Sequence, residues 1–145
     1  MAKRKTAKTG AVPPPYALAM VISDAIWRDP GSGKRTILGC FSVLFARRFP
    51  AVHPIMAVYA VLTDGRGKVP IKLRVVDVDE ENVPLFEANG EVVFADPRAT
   101  VEIDMHIQGI RFPRPGDYRF QLFAGGEFVL ERRLLVVQIS DEKKP

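Results

Sequence analysis

Cysteine is nearly missing from this sequence. Cys40 is the only one in 145 residues, so no disulfide can form within the chain and an apolar core has to hold the fold. Histidine is almost as scarce, with His53 and His106 alone. A catalytic zinc needs three protein ligands, which these do not supply. Cys40 stands among Ile37, Leu38, Phe41 and Leu44, so the expectation is a buried, inert thiol rather than a nucleophile. A long apolar run is also missing. Tyr16 to Ile22 ends at Ser23-Asp24, far short of the roughly 20 residues that span a bilayer. Pro13, Pro14 and Pro15 precede that run and no small-x-small site follows it, so neither a secretory signal nor a membrane span is expected, and the expected location is cytoplasmic.

Catalytic motifs are equally sparse. No Gly-x-Ser-x-Gly elbow occurs to present a serine nucleophile. The string Gly31-Ser32-Gly33-Lys34-Arg35-Thr36 resembles a phosphate-binding loop only superficially: Arg28 stands where its first glycine belongs and Arg35 where Ser or Thr must follow the lysine. Asp77 to Asn82 offers oxygen ligands, but Asn82 replaces the sixth-position glycine of a calcium loop and Ala88 the twelfth-position glutamate. That segment reads as an acidic turn paired with nearby arginines. The chain is therefore expected to be no enzyme and to need no cofactor or metal.

What is present fits one globular domain: 47% apolar residues and 26% charged. The net charge of +4 is local. Lys3, Arg4, Lys5 and Lys8 stand in the first ten residues with no acid, which leaves 17 side chains of each sign in the rest. Residues 1–15 read as a disordered basic tail able to touch nucleic acid or another anionic surface, 16–140 as the domain, and 141–145 as a frayed end. The neutral body lacks the basic face of a dedicated nucleic-acid domain.

Within the domain, hydrophobicity alternates with period two. In 99–108, Val101, Ile103, Met105 and Ile107 alternate with Glu102, Asp104, His106 and Gln108; 69–78 and 117–124 repeat the pattern. The stretches 36–46, 55–63 and 134–139 are more apolar, and 18–27 with a broken 83–94 complete eight strands. Turn signals separate them, among them Asp29-Pro30-Gly31, Asp64-Gly65 and Gly125-Gly126, and no amphipathic helix appears. The expected fold is an all-β antiparallel sandwich of about eight strands, immunoglobulin-like or C2-like. The interruption Glu131-Arg132-Arg133 suggests a bulge at a charged edge.

Simple up-and-down alternation would place the loops near 29–35, 64–68, 95–98 and 124–127 at one end and those near 47–54, 79–83 and 109–117 at the other. The second end is stiffened by Phe49-Pro50, His53-Pro54, Phe112-Pro113 and Pro115. It gathers the candidate binding residues: Arg47, Arg48, His53, Arg111 and Arg114, with Phe49 and Phe112 beneath them. Cations on rigid loops suit an anionic group or an acidic protein surface. Trp27, Phe86 and Phe123 fall outside the inward series and offer an alternative platform for a sugar.

The segments Phe49-Pro50-Ala51-Val52-His53-Pro54 and Ile110-Arg111-Phe112-Pro113-Arg114-Pro115-Gly116-Asp117-Tyr118-Arg119-Phe120, with Gly33-Lys34-Arg35-Thr36-Ile37-Leu38-Gly39, resemble an uncharacterised bacterial family of unknown function. The resemblance implies a compact sandwich and no catalytic residues to carry over. The expected role is that of a binding or assembly module with a protein partner or a second copy of itself.

Overall fold

The computed structural model describes residues 13–140. Residues 1–12, with Lys3, Arg4, Lys5 and Lys8, and 141–145 lie outside the described residues, so the expectations for the tail and the frayed end fall there. The described residues hold nine strands: β1 (Tyr16–Arg28), β2 (Arg35–Cys40), β3 (Val43–Ala46), β4 (Ala51–Thr63), β5 (Gly67–Asp77), β6 (Phe86–Phe94), β7 (Val101–Phe112), β8 (Gly116–Ala124) and β9 (Glu127–Gln138). They form two packed sheets, one ordered β2-β1-β4-β7 and the other β3-β9-β8-β5-β6. Every pair is antiparallel except β3 with β9.

The alternation read from the sequence builds the core. Paired residues share a face, so Ile22 opposite Val58 and Ala60 opposite Ile103 point inward together. In the second sheet Leu73 opposite Leu122 and Val75 opposite Phe120 do the same. Ile22, Leu73, Phe112, Tyr118 and Phe120 are among the largest fully buried side chains, and each such residue contributes about 1.5–3 kcal/mol of transfer free energy. Gly65 completes the wall: a Cβ there would collide with the Phe94 ring, so the turn before β5 admits no larger residue.

The ninth strand comes from the segment expected as one strand over 36–46. It breaks at Phe41-Ser42, and its two halves belong to different sheets. Gly39 carries φ +68°, and a Cβ there would meet the Asp24 carboxylate, so only glycine lets β2 end beside β1 in this way. Phe41 donates its N–H to the Ile22 carbonyl, and two residues later β3 lies along β9.

The β1–β2 hairpin leaves the plane of its sheet. Arg35 on β2 bonds Asp104 and Glu102 on β7, although β1 and β4 stand between them in strand order. Three strand spacings of about 4.8 Å each exceed that reach in a flat sheet, so the hairpin folds over the outer face. Ser23 and Ala57 pair on that outer face and are fully buried, as the cover requires. The expected grouping of loops therefore needs one correction: the 29–34 turn belongs to this cover rather than to an end. The others group as read. Asp64 donates to the Pro97 carbonyl at one end, while at the other Ala51 pairs Phe112 and Val78 donates to the Asp117 carbonyl.

The bulge expected at Glu131-Arg132-Arg133 is absent. The β8–β9 register shifts at Leu122/Phe123 instead, and β9 runs straight through 131–133. Glu131 accepts from Arg119 at 2.9 Å, and Arg132 reaches across to the Met20 carbonyl of the other sheet at 3.0 Å.

Candidate functional site

The proline-stiffened end is built first from its aromatic residues. Phe112 is fully buried and meets Tyr118 edge-on with ring centroids 5.0 Å apart, and Phe49, after which the peptide to Pro50 is cis, packs against the same core. Tyr118 donates its hydroxyl proton to the Arg114 carbonyl at 2.6 Å, four residues back, and so pins the chain entering β8. Burial pushes the Tyr118 phenol above its ordinary value.

Arg114 is tied down by the acidic turn. Its Nε and Nη2 both donate to Oδ2 of Asp77, at 3.0 and 2.8 Å, while Oδ1 of Asp77 accepts the Asp79 N–H at 2.9 Å. Hydrogen bonding to Asp77 raises the Arg114 pKa. The Asp77 side chain is only 8% exposed, so its oxygens are spent on holding the turn. Among the described residues, no group of three or more His, Cys, Asp and Glu is placed to hold a metal ion.

The seven candidate residues thus separate by role. Phe49, Phe112 and Arg114 hold the fold. Arg111 is exposed on the outer face of β7, opposite Val52. His53 is half-buried with its ring 5.8 Å from that of Phe41. Arg47 and Arg48 are exposed immediately after β3. They stand beside a surface that the sequence reading missed.

That surface is the β3 edge of the second sheet. β3 has β9 on one side only. Leu135 donates to the Ser42 carbonyl and Ile139 to the Ala46 carbonyl, which fixes the phase of the parallel ladder. By that phase Leu44 and Ala46 bond β9, while the N–H and C=O of Val43 and Phe45 face the open side. The side chains alternate accordingly: Leu44 packs on the core, and Phe45 is 46% exposed beside Leu135 and Val137 at 37% and 38%. Val43 pairs Leu135 and Phe45 pairs Val137, so the four form one apolar stripe on the outer face.

A cavity of about 380 Å³ adjoins β3, lined by Asp24, Cys40, Phe41, Leu44, Phe45 and His53 among others. Cys40 is exposed there, against the expectation of burial, because the chain leaves the first sheet at this point and carries no apolar layer above it. The aromatic residues offered as a platform stand apart. Trp27 lies on the folded-over hairpin of one sheet, while Phe123 lies in the other, edge-on to Phe128 at 5.8 Å. The two rings share no surface.

A family model matches residues 18–137, from β1 into β9. The chain belongs to the family of unknown function DUF6941. This agrees with the resemblance read from the sequence. No curated protein matches it. Among solved structures it is similar to the sensor domain of the anti-sigma factor RsgI4 in Pseudobacteroides cellulosolvens, at 12% identity and a TM-score of 0.40, over 66% of this chain and 94% of that one. At that score the likeness bears on no functional argument. No helix among the described residues is long and apolar enough to cross a membrane.

Proposed function

We propose that the domain is a non-catalytic protein-binding module, and that it takes an extended segment of a partner protein along the open side of β3. The observation that carries this reading is the coincidence, on four residues, of an unpaired strand edge and an apolar stripe. An unpaired edge bonds main chain to main chain, and alternate side chains then supply selectivity. Val43, Phe45, Leu135 and Val137 favour apolar residues at every second position of the partner. Arg47 and Arg48, exposed at the end of β3, favour acidic residues beside them. The partner's segment is accordingly extended, apolar in alternation and acidic at one end.

Selection of random linear peptides displayed against the full chain tests this. The reading expects enriched peptides that alternate apolar residues and carry acids, and that lose binding to Phe45→Lys while the variant keeps the wild-type unfolding midpoint. Peptides of unrelated pattern, or peptides that bind Phe45→Lys equally well, would contradict it.

A further inference from the structure

The other edge of the second sheet carries a separate feature. A cleft of about 370 Å³ lies on the outer face of β5, β6 and β8, lined by Pro70, Lys72, Arg74, Glu87, Asn89 and Phe123, together with Gly126 and the β5 backbone. The register dictates its layout. Lys72, on the central strand, has Asn89 opposite on one side and Phe123 opposite on the other; Arg74, two residues on, has Glu87 and Gln121.

Two cations in this cleft are incompletely partnered. Lys72 is half-buried and makes no hydrogen bond or ion pair among the described residues. Arg74 donates from Nη2 to the Glu81 carbonyl, but its buried Nε has no hydrogen-bond partner: the Glu87 carboxylate stands 3.6 Å away, beyond hydrogen-bond distance. Buried donors are ordinarily satisfied, and here the exception is the Arg74 Nε, which has only the Glu87 ion pair, while the half-buried Lys72 ammonium keeps its donors for a group entering the cleft. The Lys72 ammonium, with no carboxylate of its own, is the group in the cleft left to meet a ligand's charge.

We infer that this cleft binds a small organic carboxylate with an apolar body, its carboxylate between Lys72 and Arg74, accepting also from the Asn89 amide, and its body against Phe123 and Pro70. The charge sets the class. Of the lining groups, Lys72 and Arg74 are positive and Glu87 negative, so the cleft matches a monoanion and repels a dianion through Glu87. The aromatic wall excludes a purely polar anion, and the volume falls within the range of small-molecule sites. The site lies across β8 and β9 from the β3 edge and does not depend on the peptide reading.

Amide spectra of the full, isotope-labelled chain titrated with benzoate test the inference, with inorganic phosphate and neutral benzamide titrated in parallel. Benzoate should give saturable shifts at Lys72, Asn89 and Phe123, and phosphate and benzamide should not. Lys72→Met should weaken benzoate at least tenfold with an unchanged unfolding midpoint, and Asn89→Ala should weaken it less. Absence of saturable shifts at these residues, equal response to phosphate or benzamide, or unchanged benzoate affinity in both variants would overturn it. Phe45→Lys should leave benzoate binding intact, so the two surfaces fail or stand separately.

Discussion

Arg35 on β2 donates Nε to Oδ1 of Asp104 on β7 at 2.7 Å, across 69 residues of chain and two intervening strands. The same guanidinium bonds Glu102 at 2.9 Å, and Glu102 in turn accepts the Tyr59 hydroxyl. This group locks the β1–β2 hairpin over the outer face. The Arg35 and Asp104 side chains are only 10% and 20% exposed, so the pair escapes most of the screening that makes surface ion pairs weak.

Replacing Arg35 by Met leaves a half-buried carboxylate without its cation, and urea unfolding should show a loss of about 1–3 kcal/mol. Arg35→Met with Asp104→Leu should recover part of that loss, because no orphaned charge then remains. Strictly additive losses in the double variant would show that the two side chains are not coupled.

Tyr59 makes stability depend on alkaline pH. Burial, and then the hydrogen bond to Glu102, push its pKa up to about 12 from 10.0. The folded state holds the phenol proton more tightly than the unfolded state. The resulting stabilisation is complete below pH 10 and fades as pH rises through about 12. Urea midpoints measured across that window should fall more steeply for the wild type than for Tyr59→Phe. Parallel curves would place Tyr59 outside the network.

Tyr118→Phe removes the hydroxyl that donates to the Arg114 carbonyl while keeping the ring against Phe112. The unfolding free energy should drop by about 0.5–1.5 kcal/mol, the ordinary net worth of one such bond. The amides of 113–116 should exchange faster in the variant. If neither quantity changes, the Tyr118–Arg114 bond does not hold this end.

The strand faces were legible because period-two alternation is imposed by the pleat itself. Val101, Ile103, Met105 and Ile107 point inward as their spacing requires. The break of 36–46 was signalled by Gly39, a glycine inside a strand pattern, but its consequence depends on Asp24, which only the folded chain brings alongside. The fold-over of the hairpin rests on a long-range pairing of Arg35 with β7, and no local pattern encodes it. At the candidate site the sequence named these arginines together, but not the surfaces on which the fold places them. Arg114 had an interior partner in Asp77, whereas Arg47 and Arg48 fell beside an apolar stripe drawn from β3 and from β9, ninety residues later.

Amide hydrogen exchange along β3 tests the open edge most directly. In the chain alone, Val43 and Phe45 should exchange rapidly while Leu44 and Ala46, bonded to β9, are protected; saturation with a selected peptide should then slow Val43 and Phe45. Protection of all four residues in the chain alone, or rapid exchange of Val43 and Phe45 that a bound peptide leaves untouched, would contradict docking along this strand.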